Sequence, residues 1–264
     1  MSNKRQVAIF DRLGDRNSPI VTHTHNYPAG HKIPSHFHDH DQLVYASSGV
    51  MTVQSPDGAW VVPANRAVWI PEGVPHTIST SGMVAMRTLY LKARLATSMP
   101  RECCVVNVPP LLSELILHAC KCGSLSARIA AHRHLVDVTL DQLQAIQTVP
   151  LQLPNLADPR ARRLAELLNA DPGNRQSLAR VCRTVGASGR TMERLFQEET
   201  GMTLGKWRQQ LRLMHAMRLL GEGAKVTHAA LEAGYSTPSA FIAAFRKSLG
   251  TTPAAYFKVS ANGR

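Results

Sequence analysis

From Gln42 to Leu91 the chain alternates short apolar runs with turn residues. Leu43-Val44-Tyr45 precedes Ser47-Ser48-Gly49, and Val50-Met51-Thr52-Val53 precedes Ser55-Pro56-Asp57-Gly58. Trp60-Val61-Val62 stops at Pro63, Ala67-Val68-Trp69-Ile70 stops at Pro71-Glu72-Gly73, and Met86 to Leu91 closes the series. Short runs with a turn about every 8–12 residues predict antiparallel strands in a sandwich or small barrel. Asp57-Gly58 is a tight-turn pair, because glycine takes positive φ without a Cβ clash.

The pattern then turns helical. Leu111-Leu112, Leu115-Ile116 and Ala119 make one apolar stripe, and Leu135, Val138, Gln142, Leu143 and Ile146 suggest a second. These two helices either pack on the strands or form a dimer seam. Asp158-Pro159 reads as an N-cap with proline at the first helical position. Leu164, Leu167 and Leu168 form that helix's stripe, which ends at Asp171-Pro172-Gly173. Leu178, Val181, Cys182 and Val185 follow with Gly186 as the stop, and Ser188 opens a helix carrying Met192, Leu195 and Phe196. Helix, short glycine turn, helix is the DNA-binding supersecondary unit.

The unit recurs 48 residues later, with Val226 to Ala233, then Gly234, then a helix carrying Phe241, Phe245 and Leu249. Cys182 and Ala230 each sit four residues before the turn glycine, where two helices cross and only a small side chain fits. Leu204 to Leu220 lies between the copies as a linker helix carrying Trp207, Leu211, Met214 and Met217.

Composition sharpens this division. Of 264 residues, 44% are hydrophobic, enough for a real core. Net charge is +12, which calls for a polyanionic partner. Residues 1–157 carry +3 of it and residues 158–264 carry +9, whereas ten of the 12 histidines precede residue 158. Two chemistries on two halves imply two domains: a histidine-rich, strand-rich domain over 1–105, with a helical connector over 106–157, and a basic DNA-binding domain over 158–264. The seam is placed at Pro150 to Asn155, where two prolines interrupt strand and helix ladders.

No apolar run approaches the ~18 residues of a membrane span. Met1 to Asp15 has no apolar core of a secretory leader. Five cysteines are an odd number, and Cys103-Cys104 and Cys120-x-Cys122 lack the spacing of zinc or redox motifs. The expectation is a reduced, cytoplasmic protein with buried thiols and no membrane contact.

His36 and His38 are two apart, so on a strand they share a face; Gln42 has the same parity, and His76 follows the Pro71-Glu72-Gly73 turn. With Gly30 and Gly49 at matching spacings, this stretch resembles the cupin family; Asn65 and Thr80 stand where its second motif has Gly and Asn. The resemblance implies a small jelly-roll barrel whose pocket is lined by His36, His38, Gln42 and His76. In cupins the corresponding set, with Glu at the position of Gln42, binds a divalent metal. Gln42 removes the anionic ligand, so the pocket is expected either to hold zinc, nickel or iron through imidazole or to bind an effector without metal. No partner at a useful spacing is visible for His23, His25, His31 or His40, which read as surface or loop residues.

Residues 158–264 resemble the AraC-type DNA-binding domain through Gly186, Arg190, Arg194-Leu195-Phe196, Gly201, Trp207 to Leu220, Ala230-x-x-x-Gly234-Tyr235, Phe241, Phe245-Arg246-Lys247 and Gly250-Thr-Thr-Pro253-Ala-Ala-Tyr256. Phe257-Lys258 departs from the arginine that usually follows the final tyrosine. Trp60 through Pro71, with Met86 to Tyr90, looks like the cupin-bearing, NimR-like subgroup. The resemblance implies an α+β, two-domain transcriptional regulator, a β-barrel sensor joined to an all-α double helix-turn-helix. It implies that each second helix enters a major groove. Ser188, Gly189, Arg190, Thr191, Glu193 and Arg194 then form the first DNA-facing surface, with Arg190 and Arg194 reading bases. Ser236, Thr237, Ser239, Arg246 and Lys247 form the second, holding mainly phosphates. The expected partners are promoter DNA, RNA polymerase, a small-molecule or metal effector, and a second copy in a homodimer. The rival expectation is a metal-dependent cupin enzyme carrying a DNA-binding domain.

Overall fold

The structure is a computed structural model describing residues 18–149 and 151–261. The reading of Met1 to Asp15 and the seam residue Pro150 lie outside them. Among the described residues ten strands form one sheet: β1 (Ile20–Tyr27), β2 (Lys32–His36), β3 (His40–Ser55), β4 (Gly58–Pro63), β5 (Arg66–Ile70), β6 (His76–Lys92), β7 (Cys104–Asn107), β8 (Ser124–Leu125), β9 (Thr148–Val149) and β10 (Gln152–Pro154). The ladder runs β8-β1-β6-β3-β5-β7-β9, with β2 on β6, and β10 on β4 on β3. It is an open path rather than a closed barrel, which corrects the barrel expectation while keeping the cupin-like sheet domain.

One expected break is absent. Ser47-Ser48-Gly49 is not a turn: β3 runs through it for 16 residues, and the β3–β6 register slips between Ala46, Ser48 and Val50. A bulge absorbs the extra residues and bends the strand instead of ending it. Gly49 has φ 82 and lies against the Met83 backbone, so only glycine fits that bend. The strand expected over Met86 to Leu91 is longer, because β6 runs 17 residues from His76 through Ser81-Gly82.

The connector helices α1 (Pro110–Cys122) and α2 (Ala130–Gln144) bury Leu112, Ile116, Val136 and Leu143 against Ile20, Leu43, Leu89 and Leu91 of the sheet. Intramolecular packing is therefore their main role, and the connector belongs to the sensor core. The expected α2 stripe is shifted: Val136, Thr139 and Leu143 are buried, and Val138 is exposed. In α1 Leu111 is exposed. The seam is also corrected, because Gln152–Pro154 pairs with β4 as a strand.

The C-terminal part comprises α3 (Pro159–Ala170), α4 (Leu178–Thr184), α5 (Gly189–Thr200), α6 (Leu204–Gly221), α7 (Val226–Glu232), α8 (Pro238–Leu249) and α9 (Pro253–Ala261). Asp158, Ser177, Ser188, Thr203 and Thr237 cap α3, α4, α5, α6 and α8, each side chain accepting from a first-turn amide. Ala161, Leu164 and Leu168 are the buried stripe of α3, while Leu167 faces solvent. Helix α6 buries residues on nearly all sides, because both helical units and the sheet pack around it. One hydrophobic core therefore runs from Val50, Trp60 and Val62 of the sheet through Met214 and Met217 to Phe241 and Phe245.

Candidate DNA interface and histidine pocket

Each helix-turn-helix is held by a small residue at the crossing and an aromatic cluster behind the second helix. Cys182 and Ala230 are fully buried at those crossings. Gly186 (φ 70) and Gly234 (φ 80) make the turns. Phe196 stacks edge-on to Trp207, and Phe241 on Phe245. With the apolar face of α5 buried through Met192, Leu195 and Phe196, the opposite face presents Ser188, Gly189, Arg190, Glu193 and Arg194 to solvent, with Thr191 half-buried. On α8 and its entry, Ser236, Thr237, Ser239, Arg246 and Lys247 are exposed. Ser239, Ile242, Ala243, Arg246 and Lys247, with Thr252 beyond the helix, line a concavity of about 540 Å³.

The histidine pocket assembles where β2 meets β6. His36 and His76 are cross-strand neighbours, and His38 follows in the next loop. One nitrogen from each of the three rings lies within 4.8 Å of the others, and all three rings are buried. His36 Nδ1 faces the Pro34 carbonyl at 2.7 Å and His76 Nδ1 the Val74 carbonyl at 3.0 Å, so both donate from Nδ1. This fixes the tautomer with the Nε2 lone pair free. His76 Nε2 is buried with no hydrogen-bond partner. Burial pushes His38 down to about 3, helped by its imidazole neighbours, and His76 down to about 4; His36 is lowered for the same reason. The three rings are neutral at pH 7, the state that donates to a metal or hydrogen-bonds a ligand.

The description "AraC-like ligand binding domain" matches residues 18–151, and "Helix-turn-helix domain" matches 181–258. The transcriptional regulator NimR of Escherichia coli (strain K12) is 33% identical over 84% of this chain and 81% of its own length. The chain belongs to the AraC-type transcriptional regulators.

The transcriptional activator RhaR of Mannheimia succiniciproducens is 23% identical over 97% of this chain and 98% of its own. A structure of ToxT from Vibrio cholerae O395 covers 92% of this chain and 99% of its own at 11% identity, with a TM-score of 0.40. As an AraC-type regulator the chain binds DNA through the helical half and a small effector through the sheet. No described helix is long and apolar enough to cross a membrane.

Within this AraC-type frame several assigned residues carry second duties. Ser188 Oγ accepts from Thr191 N at 3.1 Å and meets Thr191 Oγ1 at 2.9 Å, so both polar groups are partly committed to the helix start. Thr237 Oγ1 accepts from Ala240 N at 3.1 Å. Arg194 donates to Glu198 at 2.6 Å across one turn, a pair whose i,i+4 spacing was visible in the sequence. Arg190 has no such ion pair among the described residues.

The sensor of this AraC-type chain also holds groups the motif did not reveal. Gln42 hydrogen-bonds the Tyr90 hydroxyl, while its Oε1 has no partner. The Tyr90 ring lies 5.0 Å from His38, so Gln42 joins the imidazoles through Tyr90. Thr88, two residues earlier on the same strand face, is fully buried with an unpartnered hydroxyl. Alternation over Met86 to Tyr90 could have flagged both.

His23 and His25 are strand residues, not loop residues, stacked at 6.1 Å; His25 meets Tyr27 at 4.3 Å, and Tyr27 stacks on His31 at 4.5 Å. His40 Nδ1 pairs with Asp39 at 2.7 Å. Cys103 and Cys182 are buried, but Cys104 and Cys120 are only half-buried and Cys122 is exposed, which corrects the expectation of buried thiols. Burial holds Cys103 at about 12 and Cys104 at about 11, so both stay protonated.

Proposed function

We propose that occupancy of the His36, His38 and His76 pocket controls how the two helix-turn-helix units engage promoter DNA. The observation that carries this reading is the trio of neutral, buried imidazoles, two with Nε2 turned free, in a sheet that shares its core with α6. Three such donors suit zinc, nickel or iron, and equally a ligand that takes up hydrogen bonds from imidazole, Gln42 and Tyr90. If a metal is held, His36, His38 and His76 hold it and Gln42 offers a neutral amide oxygen. The metal would supply a fixed positive charge for an anionic or carbonyl-bearing effector.

The reading is regulatory rather than catalytic. What supports it is the family: the relatives NimR and RhaR are transcriptional regulators. Base reading falls to Arg190 and Arg194, and phosphate grip to Ser236, Thr237, Arg246 and Lys247. We place the protein in the cytoplasm, in contact with RNA polymerase at its promoter. Self-association would use the outer face of α1 and α2, where Leu111, Ile129 and Val138 are exposed.

The test is a promoter reporter combined with zinc titration by calorimetry. Wild type should respond to its effector. The double variant His36→Ala, His76→Ala should lose that response and any stoichiometric metal, while keeping DNA affinity. A normal response in the double variant would place the sensor site elsewhere.

A further inference from the structure

Helix α6 carries two arginines one turn apart, Arg208, which is buried, and Arg212, which is half-buried. Both point at the loop joining α3 to α4. Arg208 Nη1 donates to the Gln176 carbonyl at 2.9 Å, and its Nη2 donates to the Asn174 carbonyl. Arg212 Nη2 donates to the same Asn174 carbonyl at 2.6 Å, and its Nε donates to the Pro172 carbonyl at 3.3 Å. Three backbone acceptors of a loop with no ladder of its own are thus satisfied by two planar forks.

Burial disfavours the charge on both guanidiniums; Arg212 adds to this at Arg208 and Arg175 at Arg212, while Asp171 offsets part of it at both. Neither has a carboxylate ion pair among the described residues. An arrangement this costly in charge has a geometric product. The same loop abuts the turn of the second unit. A Cβ on Gly234 would lie 2.9 Å from the Gly173 carbonyl and 3.0 Å from Arg212 Nη2, and one on Gly173 would strike the Glu232 carbonyl. The loop entering the first unit, the turn inside the second, and the linker helix therefore meet at Arg212.

We propose that Arg212, supported by Arg208, is a spacing determinant. It fixes the offset between α5 and α8, and so the number of base pairs the protein accepts between its two half-sites, without touching DNA. Two units held rigidly gain affinity by effective concentration only on a site whose geometry matches; loosened units lose that gain and that selectivity together. One inserted base pair moves a half-site ~3.4 Å along the duplex and rotates it by roughly a tenth of a turn.

The test uses full-length protein and an operator selected by wild type from random duplexes, in three forms: native, with one base pair inserted between half-sites, and with one half-site scrambled. Wild type should lose at least about tenfold in affinity on the insertion. Arg212→Ala should bind the native operator about tenfold more weakly and discriminate against the insertion by less than about threefold. It should leave the half-site duplex and the slope of log affinity against log salt unchanged. A phosphate ligand would instead lower that slope by ~0.9 and weaken all three duplexes alike. That outcome, or wild-type discrimination by the variant, overturns the proposal. If Arg212→Ala fails to fold, Arg212→Lys decides, because it keeps the charge and loses the fork. The proposal requires reduced spacing discrimination there too, with an unchanged salt slope.

Discussion

Gly82 and Gly221 meet backbone to backbone. A methyl group on Gly82, at the bend of β6, would run into the Gly221 carbonyl oxygen at the end of α6. From the other side, a methyl on Gly221 would lie 2.6 Å from Val50 Cγ2. A second tie joins the domains where the Tyr256 hydroxyl of α9 donates to the Ala64 carbonyl and Arg66 lies over the Tyr256 ring. The sensor therefore touches the linker helix and the last helix of the second DNA-binding unit directly. A change in the sheet has a contiguous route to the DNA-reading face.

Gly221→Ala should push α6 off the sheet. Overpacking at such a contact costs ~1–3 kcal/mol. The expected result is a lower melting temperature and a weakened effector response, with DNA affinity less affected. Thermal melts and the reporter assay check it; an unchanged melt and response would mean the contact is slack.

Arg194→Ala should cost ~1–3 kcal/mol of operator binding and remove site-specific protection, as for a bidentate base contact. Glu198→Ala should do the opposite. The Arg194–Glu198 pair is more than half exposed on both sides, so its loss costs little stability, while it frees the guanidinium for DNA. Fluorescence titration should show a severalfold gain in affinity for Glu198→Ala. A loss would show that Glu198 serves the complex.

The histidine pocket makes stability pH-dependent. His38 and His76 are lowered to about 3 and about 4 in the folded chain, against 6.5 when exposed. Between those values the unfolded chain binds more protons, so acid favours unfolding. Stability should be full above about pH 6.5 and fall progressively toward pH 4. His38→Leu should flatten part of that decline in urea unfolding; a decline of unchanged steepness would assign it to other groups.

Binding should be steeply salt-dependent. If ~6–10 phosphates are neutralised, affinity falls ~10³–10⁵-fold between 50 and 200 mM salt. Arg246→Ala and Lys247→Ala should each reduce the slope by about one and weaken all sequences alike. A change confined to one sequence would make them base readers.

The helical half was legible because its information is local. Caps, turn glycines and the Cys182/Ala230 crossings are written within a few residues, and the repeat doubles each signal. The sheet was legible in type but not in extent. Gly49 and Gly82 look like turn residues, yet each sits in a bulge inside a long strand, a distinction set by cross-strand neighbours. The cluster of His36, His38 and His76 followed from the resemblance to the cupin motif. Tyr90 and Thr88 did not, because their roles depend on β6 lying beside β3 and β1. Val138 and Leu111 fit helical stripes but face solvent, since only the sheet decides which part of a helix is covered.

Competition at about 150 mM salt between the genomic sites the protein selects and random duplex DNA tests the central claim most directly. The account predicts a preference of ~10³-fold or more, with two protected major-groove segments ~10–10.5 base pairs apart on one face of the duplex. Equal affinity for selected and random duplexes, with uniform protection, would contradict it.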